Sequence, residues 1–358
     1  MKILHFGTCF SLFLFACGAN AEMDSFSVST FPLENSAEKP PVSLIGEPTR
    51  VDGCSLAAPS LETLATDNSG FRPQNAYAAL WFSQTIELPE AVIWERLNQV
   101  PLEDARLLKR AKMGIQAGVF RVDGRVLVVF RGTKDVIDYY NNALIAPVSG
   151  EPAGLPGKVH MGFRKSFLAL WNQVYDAAIE LGAEELGVWV MGHSLGGALS
   201  QFAAYNFLQR SIDVKGVLGS GVPLPGDSEY QGKYNAVLGN KTFLVAFEND
   251  ITPNVPPQPE VADAFAAVLD EPLRVPLANL AQRFDYRQAG KWFRLTRSGE
   301  LLPIPSLVDF QREYYAKMLQ NSLNVGLPRL LFTNPIYVKD HAVEYYRCAM
   351  REYVSRLQ

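Results

Sequence analysis

In 188-VWVMGHSLGGALSQF-202 an apolar run, Val188 to Met191, gives way within three positions to a helix-forming run that begins at Leu195. Between them stand Gly192, His193 and Ser194, and Gly196 and Gly197 follow. The spacing Gly192-x-Ser194-x-Gly196 is that of a nucleophile elbow, where a strand turns abruptly into a helix. Glycines two before and two after the serine remove the side chains that would keep strand and helix apart. The turn residue is forced into a strained backbone conformation and its hydroxyl stands clear. The helix N-terminus adds partial positive charge beside it. A serine at a helix start also fits an ordinary N-cap, so the elbow reading requires partners elsewhere in the chain.

A nucleophilic serine needs a base, and the base needs a group that orients it. The chain has four histidines. His5 lies in an apolar leader and His193 inside the elbow, which leaves His160 and His341. The order serine, acid, histidine expected on this kind of sheet selects His341, at the start of a final helical pattern. His160 suits a structural hydrogen bond near the site. Among carboxylates, Asp250 opens a Pro-bearing loop just past the apolar run Phe243 to Phe247; Glu248 and Asp340 are the alternatives, and Asp340 also fits a helix cap. Oxyanion donors are expected from the Leu195 amide behind the nucleophile and from Thr133, in the turn Phe130-Arg131-Gly132-Thr133 that follows another strong strand.

Periodicity organises the remainder. Helices are expected over 76–84, 90–98, 103–111, 163–181, 194–210 and 342–357, with a short amphipathic one over 133–144. Strands are expected over 115–122, 125–130, 186–191, 214–218 and 242–247. Asp123-Gly124 marks a hairpin between the first two strands. Strands that are apolar almost throughout, alternating with helices, imply an α/β fold: a mostly parallel central sheet with helices on both faces. Residues 22–74, rich in Ser, Pro, Glu and Thr, read as an extended arm, and 75–358 as the folded domain. Within it 257–335 reads as an elaboration, with a helical pattern near 259–269, a hairpin around 291–303 and a helix near 307–320.

Composition limits the functional classes. With 358 residues, 48% hydrophobic, 20% charged and a net charge of −4, the chain is globular and lacks the basic face of a nucleic-acid binder. Residues 1–21 read as a secretory leader, with Lys2, a short apolar stretch and Ala19-Asn20-Ala21 as cleavage signal, the alternative being an irregular N-terminal helix. The apolar stretch is too short to span a bilayer. Leu14-Phe15-Ala16-Cys17 also carries the outline of a bacterial lipoprotein signal lipidated at Cys17, which Phe15 fits badly. After cleavage at Ala21, Cys54 and Cys348 remain. In an oxidising compartment they either pair, tying the arm to the last helix, or stay as free thiols. Two cysteines and four histidines do not suit a structural zinc site, and no cofactor motif is present.

Taken together, VVFRGT (128–133), VHMGF (159–163), VMGHSLGGALS (190–200), GSGVPLPG (219–226), FENDITPNVPP (247–257) and DHAVEY (340–345) resemble the class 3, or fungal-type, lipase family of the α/β-hydrolase fold. The resemblance implies Ser194 as nucleophile, Asp250 as acid, His341 as base and Thr133 with Leu195 as oxyanion donors. It also implies that the segment from about Val136 to Ile145 serves as a lid. Two departures stand out. Gly221-Val222-Pro223-Leu224-Pro225-Gly226 lacks the family's customary Arg, and the interval from Asp250 to His341 is longer than usual.

These readings lead to an exported serine hydrolase that cleaves lipid esters at a membrane or lipid–water interface, without metal or organic cofactor. The same machinery would serve a phospholipase A, a lipid acyltransferase or an esterase of short or polymeric substrates. A non-catalytic lipid-binding or surface protein on the same fold is the alternative from another class.

Overall fold

The computed structural model describes residues 54, 57–62, 64, 71–133, 146–266, 284–325 and 340–357. The expected leader, Cys17, most of the expected arm and the expected lid, 136–145, lie outside the described residues.

An eight-stranded sheet runs in the order β1-β2-β3-β6-β7-β8-β9-β10. Its strands are β1 Leu102–Arg110, β2 Ile115–Val122, β3 Arg125–Phe130, β6 Val188–His193, β7 Val214–Ser220, β8 Thr242–Phe247, β9 Lys291–Leu295 and β10 Leu301–Ile304. The short β4 Pro147–Ser149 and β5 Lys158–His160 pair separately. From β3 through β9 every pairing in the large sheet is parallel, and an antiparallel hairpin closes each side. The β2–β3 turn follows from its sequence: Asp123 and Gly124 adopt φ of 49° and 66°, the left-handed pair that an Asp-Gly hairpin turn uses.

Helices cover both faces, which is why the central strands carry apolar residues at nearly every position. On one face lie α3 Met161–Glu180, α4 Leu195–Gln209 and α5 Ser228–Leu238; on the other α1 Pro73–Thr85, α2 Glu90–Leu97 and α8 Val343–Ser355. Alternation along β3 shows the division of labour. Val126, Val128 and Phe130 pack with α3 and α4, whereas Leu127 and Val129 pack with Trp81, Phe82 and Ile93 of α1 and α2. Two leucines of the expected arm, Leu61 and Leu64, are buried in this second cluster. Cys54 and Cys348 form a disulfide that fastens the same segment to α8.

Three elements differ from expectation. A helix is expected over 103–111, yet 102–110 form strand β1, paired antiparallel to β2. Tertiary pairing of the open β2 edge overrides the local helical preference of LEDARLLKR, and the exposed Glu103, Asp104, Lys109 and Arg110 suit an edge strand. Helix α5 was not expected; Asp227 starts it by accepting the Tyr230 amide at 2.9 Å. The region 257–335 contributes helices α6 Pro259–Ala266 and α7 Leu307–Val325, and its hairpin enters the main sheet, β9 lying parallel to β8.

Candidate active site

The elbow sits where parallel strands end. β6 finishes at His193, α4 begins at Leu195, and Ser194 between them has φ 57° and ψ −129°. A left-handed φ at a non-glycine residue is strained and persists only where its surroundings enforce it. The three nearby glycines explain how the turn closes. A Cβ on Gly192 would lie 2.2 Å from the Gly196 carbonyl, one on Gly196 2.1 Å from the Phe130 carbonyl, and one on Gly197 2.4 Å from Val222. Ser194 makes no helix-capping hydrogen bond, so its position at the helix start is not spent on a cap.

Asp250 and His341 come together from opposite sides of the elaboration. His341 Nδ1 lies 2.8 Å from Asp250 Oδ2, and both residues are buried. Two other groups fix the carboxylate: the Tyr346 hydroxyl donates to Oδ2 at 2.5 Å and the Thr252 amide donates to Oδ1 at 2.8 Å, while Asn254 Nδ2 holds the Asp250 backbone by donating to its carbonyl at 2.9 Å. Burial works to raise the Asp250 pKa, but the charge and hydrogen bond of His341, with those of Tyr346 and Thr252, outweigh it and hold the carboxyl below its ordinary range. With Nδ1 donating to Asp250, the other ring nitrogen, Nε2, carries the lone pair. Nε2 has no hydrogen-bond partner among the described residues, and none joins it to Ser194. Such bonds are often long before substrate binds.

His193 is bonded to the His341 segment rather than to Ser194. Its Nε2 donates to the His341 carbonyl at 2.7 Å and its Nδ1 accepts from Ser220 Oγ at 2.9 Å. Burial, reinforced by the nearby His341 charge, pushes its imidazole down to about 3, which keeps this tautomer neutral. Gly221, with φ 56°, leaves room for the pair: a Cβ there would lie 2.9 Å from Asp250 Oδ2 and 3.0 Å from both His193 and His341 rings.

The turn after β3 reaches the elbow. A Cβ on Gly132 would stand 3.4 Å from Ser194 Cβ and 3.1 Å from the His193 carbonyl, so Thr133 is one residue from that contact. Leu195 is the first residue of α4, where amides have no intrahelical acceptor. His160 has a structural role at a helix start. It caps α3 by accepting the Phe163 amide at 3.4 Å and stacks on the Phe163 ring at 3.9 Å. The alternatives for the acid are engaged elsewhere: Asp340 pairs with Arg297, and Glu248 accepts the Arg297 amide at 2.6 Å. Burial pushes the Asp340 carboxyl up to about 6, against the opposing pull of Arg297 and the Asn249 amide.

Sequence reasoning did not identify Tyr346, Ser220, Gly221 or the role of His193. Tyr346 carried a weak signal, since it lies five residues beyond His341, on the helix that follows that histidine.

Residues 127–260 match the model of the family described as Lipase (class 3). A lipase of Rhizomucor miehei is 27% identical over 175 residues, covering 46% of this chain and 48% of its own length. Phospholipase A1-II 3 of Oryza sativa subsp. indica is 26% identical over 195 residues, 46% of each chain. The chain thus spans about half the length of the curated relatives it matches. Among solved structures, the Rhizomucor miehei triacylglyceride lipase is 22% identical, with a TM-score of 0.47 over 64% of this chain and 82% of that one. A triacylglycerol lipase from Penicillium expansum is 14% identical, with a TM-score of 0.48 over 67% and 87%.

Proposed function

We propose that this chain, whose residues 127–260 match the model of the class 3 lipase family, is a serine carboxylester hydrolase that acts on lipid esters at a lipid–water interface. The observation that carries this reading is the buried His341–Asp250 pair, 2.8 Å apart, at the sheet edge that also holds the strained Ser194. Ser194 Oγ attacks the ester carbonyl while His341 Nε2 takes its proton. Asp250 holds the imidazole with Nδ1–H toward itself and stabilises the cation that forms. The Leu195 and Thr133 amides receive the oxyanion. Collapse of the tetrahedral intermediate breaks the carbonyl–alkoxy bond, and His341 returns the proton to the departing alcohol. Water, deprotonated by the same nitrogen, then cleaves the acyl-enzyme and restores Ser194. No metal or organic cofactor enters these steps.

Labelling with a fluorophosphonate probe tests the nucleophile. Wild-type protein is expected to label and Ser194→Ala to remain unlabelled; folded wild type that stays unlabelled would instead favour a binding protein on this fold. Rates on triacylglycerol emulsions, phospholipid vesicles and soluble p-nitrophenyl esters then separate a lipase from a phospholipase A or a short-chain esterase. Product analysis with added alcohol detects an acyltransferase.

Export is part of the same reading. It is supported by the leader pattern of residues 1–21 and by the Cys54–Cys348 bridge, a bond that persists in oxidising compartments. No helix among the described residues is long and apolar enough to cross a membrane. The intact mass of the exported chain distinguishes cleavage after Ala21 from lipidation at Cys17.

A further inference from the structure

The segments that carry the acid and the base are tied to each other a second time, through the hairpin of the elaboration. Three stretches meet: Glu248 to Asp250 after β8, Arg297 in the β9–β10 turn, and Asp340-His341 before α8. The Arg297 guanidinium pairs with the Asp340 carboxylate, and the Asn249 amide donates to the same Asp340 Oδ2 at 3.3 Å. The Arg297 backbone amide donates to Glu248 Oε1 at 2.6 Å. Glu248 itself has a left-handed φ of 33°, accepted two residues before the acid. The hairpin is gripped from α8 as well, since Arg356 donates to the Ser298 carbonyl at 3.0 Å.

We propose that Arg297 is a positioning residue: its guanidinium and amide brace the acid loop to the base loop and hold His341 in line with Asp250. This rests on the reading of Asp250 and His341 as acid and base. Two observations favour positioning over plain stabilisation. The Arg297 and Asp340 side chains are 13% and 3% exposed, and a pair so deeply desolvated contributes little net stability while fixing geometry. The brace also joins the neighbours of both reacting partners: Asp340 precedes His341, and Asn249 precedes Asp250. Other charged groups close to this junction are Glu248, Arg294, which faces Glu248 at 3.6 Å, and Asp250 with its Tyr346 hydroxyl.

The test uses the full chain on a soluble p-nitrophenyl ester, with Ser194→Ala as control. Arg297→Met is expected to lower kcat about tenfold to a hundredfold, the scale of a misplaced catalytic group, with KM within about twofold. Arg297→Lys, which keeps the charge but not the planar fork, is expected to recover part of that loss. Replacing both partners, Arg297→Met with Asp340→Leu, is expected to return the melting temperature toward wild type without returning kcat. A substrate-free measurement reads the same brace. The low-field proton NMR signal of the His341 Nδ1–H···Asp250 bond should shift or broaden in Arg297→Met and in the double variant. The inference is overturned by a wild-type-like kcat in folded Arg297→Met, by kcat and melting temperature recovering together in the double variant, or by an unchanged proton signal. Activity that survives in Ser194→Ala would overturn the functional reading instead and leave the NMR result to judge the brace.

Discussion

Acid is expected to destabilise this protein through two histidines that are buried neutral, and His193 allows the effect to be isolated. Burial pushes both His160 and His193 from 6.5 down to about 3. A base whose folded pKa lies below its unfolded value binds fewer protons when folded at every pH between the two. Stability is therefore level above about 6.5 and falls as pH drops from there toward 3. At pH 5, some 1.5 units below 6.5, each histidine withdraws about 2 kcal/mol relative to pH 8, at roughly 1.4 kcal/mol per unit. Asp340 runs the other way: its carboxyl is raised from 3.8 to about 6, so protonation below 6 returns about 1 kcal/mol by pH 5. His193→Gln places an amide that can still donate to the His341 carbonyl and accept from Ser220 but does not titrate. Urea unfolding of wild type and His193→Gln at pH 8 and pH 5 measures the difference directly. Wild type should lose about 2 kcal/mol more than the variant between the two conditions. Equal losses would refute the claim that His193 is held neutral by its surroundings.

Three further outcomes are expected. Gly221→Ala adds a Cβ 2.9 Å from Asp250 Oδ2 at a φ of 56°; kcat should fall more than about tenfold and stability by about 1–3 kcal/mol, measured by ester hydrolysis and thermal melting. Tyr346→Phe removes a donor to Asp250 and the acceptor of the Phe247 amide. It should cost about 1–3 kcal/mol in urea unfolding and raise the pH at which the Asp250 carboxyl takes up a proton. Loss of the Cys54–Cys348 bridge, which spans 294 residues of sequence, through paired serine substitutions should cost about 2–5 kcal/mol. An unchanged denaturation midpoint would mean that the bridge does not constrain the unfolded chain.

What the sequence made legible is mostly local. The elbow depends on five neighbouring residues, the β2–β3 turn on two, and the central strands on continuous apolar runs. Each could be read because the physical cause lies within a few positions. Strand β1 could not, since its conformation is decided by the edge of β2 rather than by LEDARLLKR itself. The hairpin of the elaboration was visible as a hairpin, but not its place beside β8, because parallel pairing leaves no turn to mark it. Ser194, Asp250, His341, Thr133 and Leu195 were nominated from motif, order and family resemblance. The residues that hold them were not. His193 reaches a carbonyl 148 positions away and Tyr346 a carboxylate 96 positions away. No window along the chain contains both ends of such a bond.

The crowding at Gly192, Gly196 and Gly197 bears on how this protein would look in a saturation mutagenesis experiment. Every replacement at these positions introduces a carbon where a backbone or side-chain atom already stands within 2.1–2.4 Å. Each would score as intolerant, alongside Ser194, although none of the three supplies a reacting group. A scan read by activity alone would therefore draw the active site too large, merging atoms that do chemistry with space that must stay empty. Scoring abundance of the folded chain in parallel would separate them: glycine variants should disappear from both readouts, whereas Ser194→Ala should disappear from one.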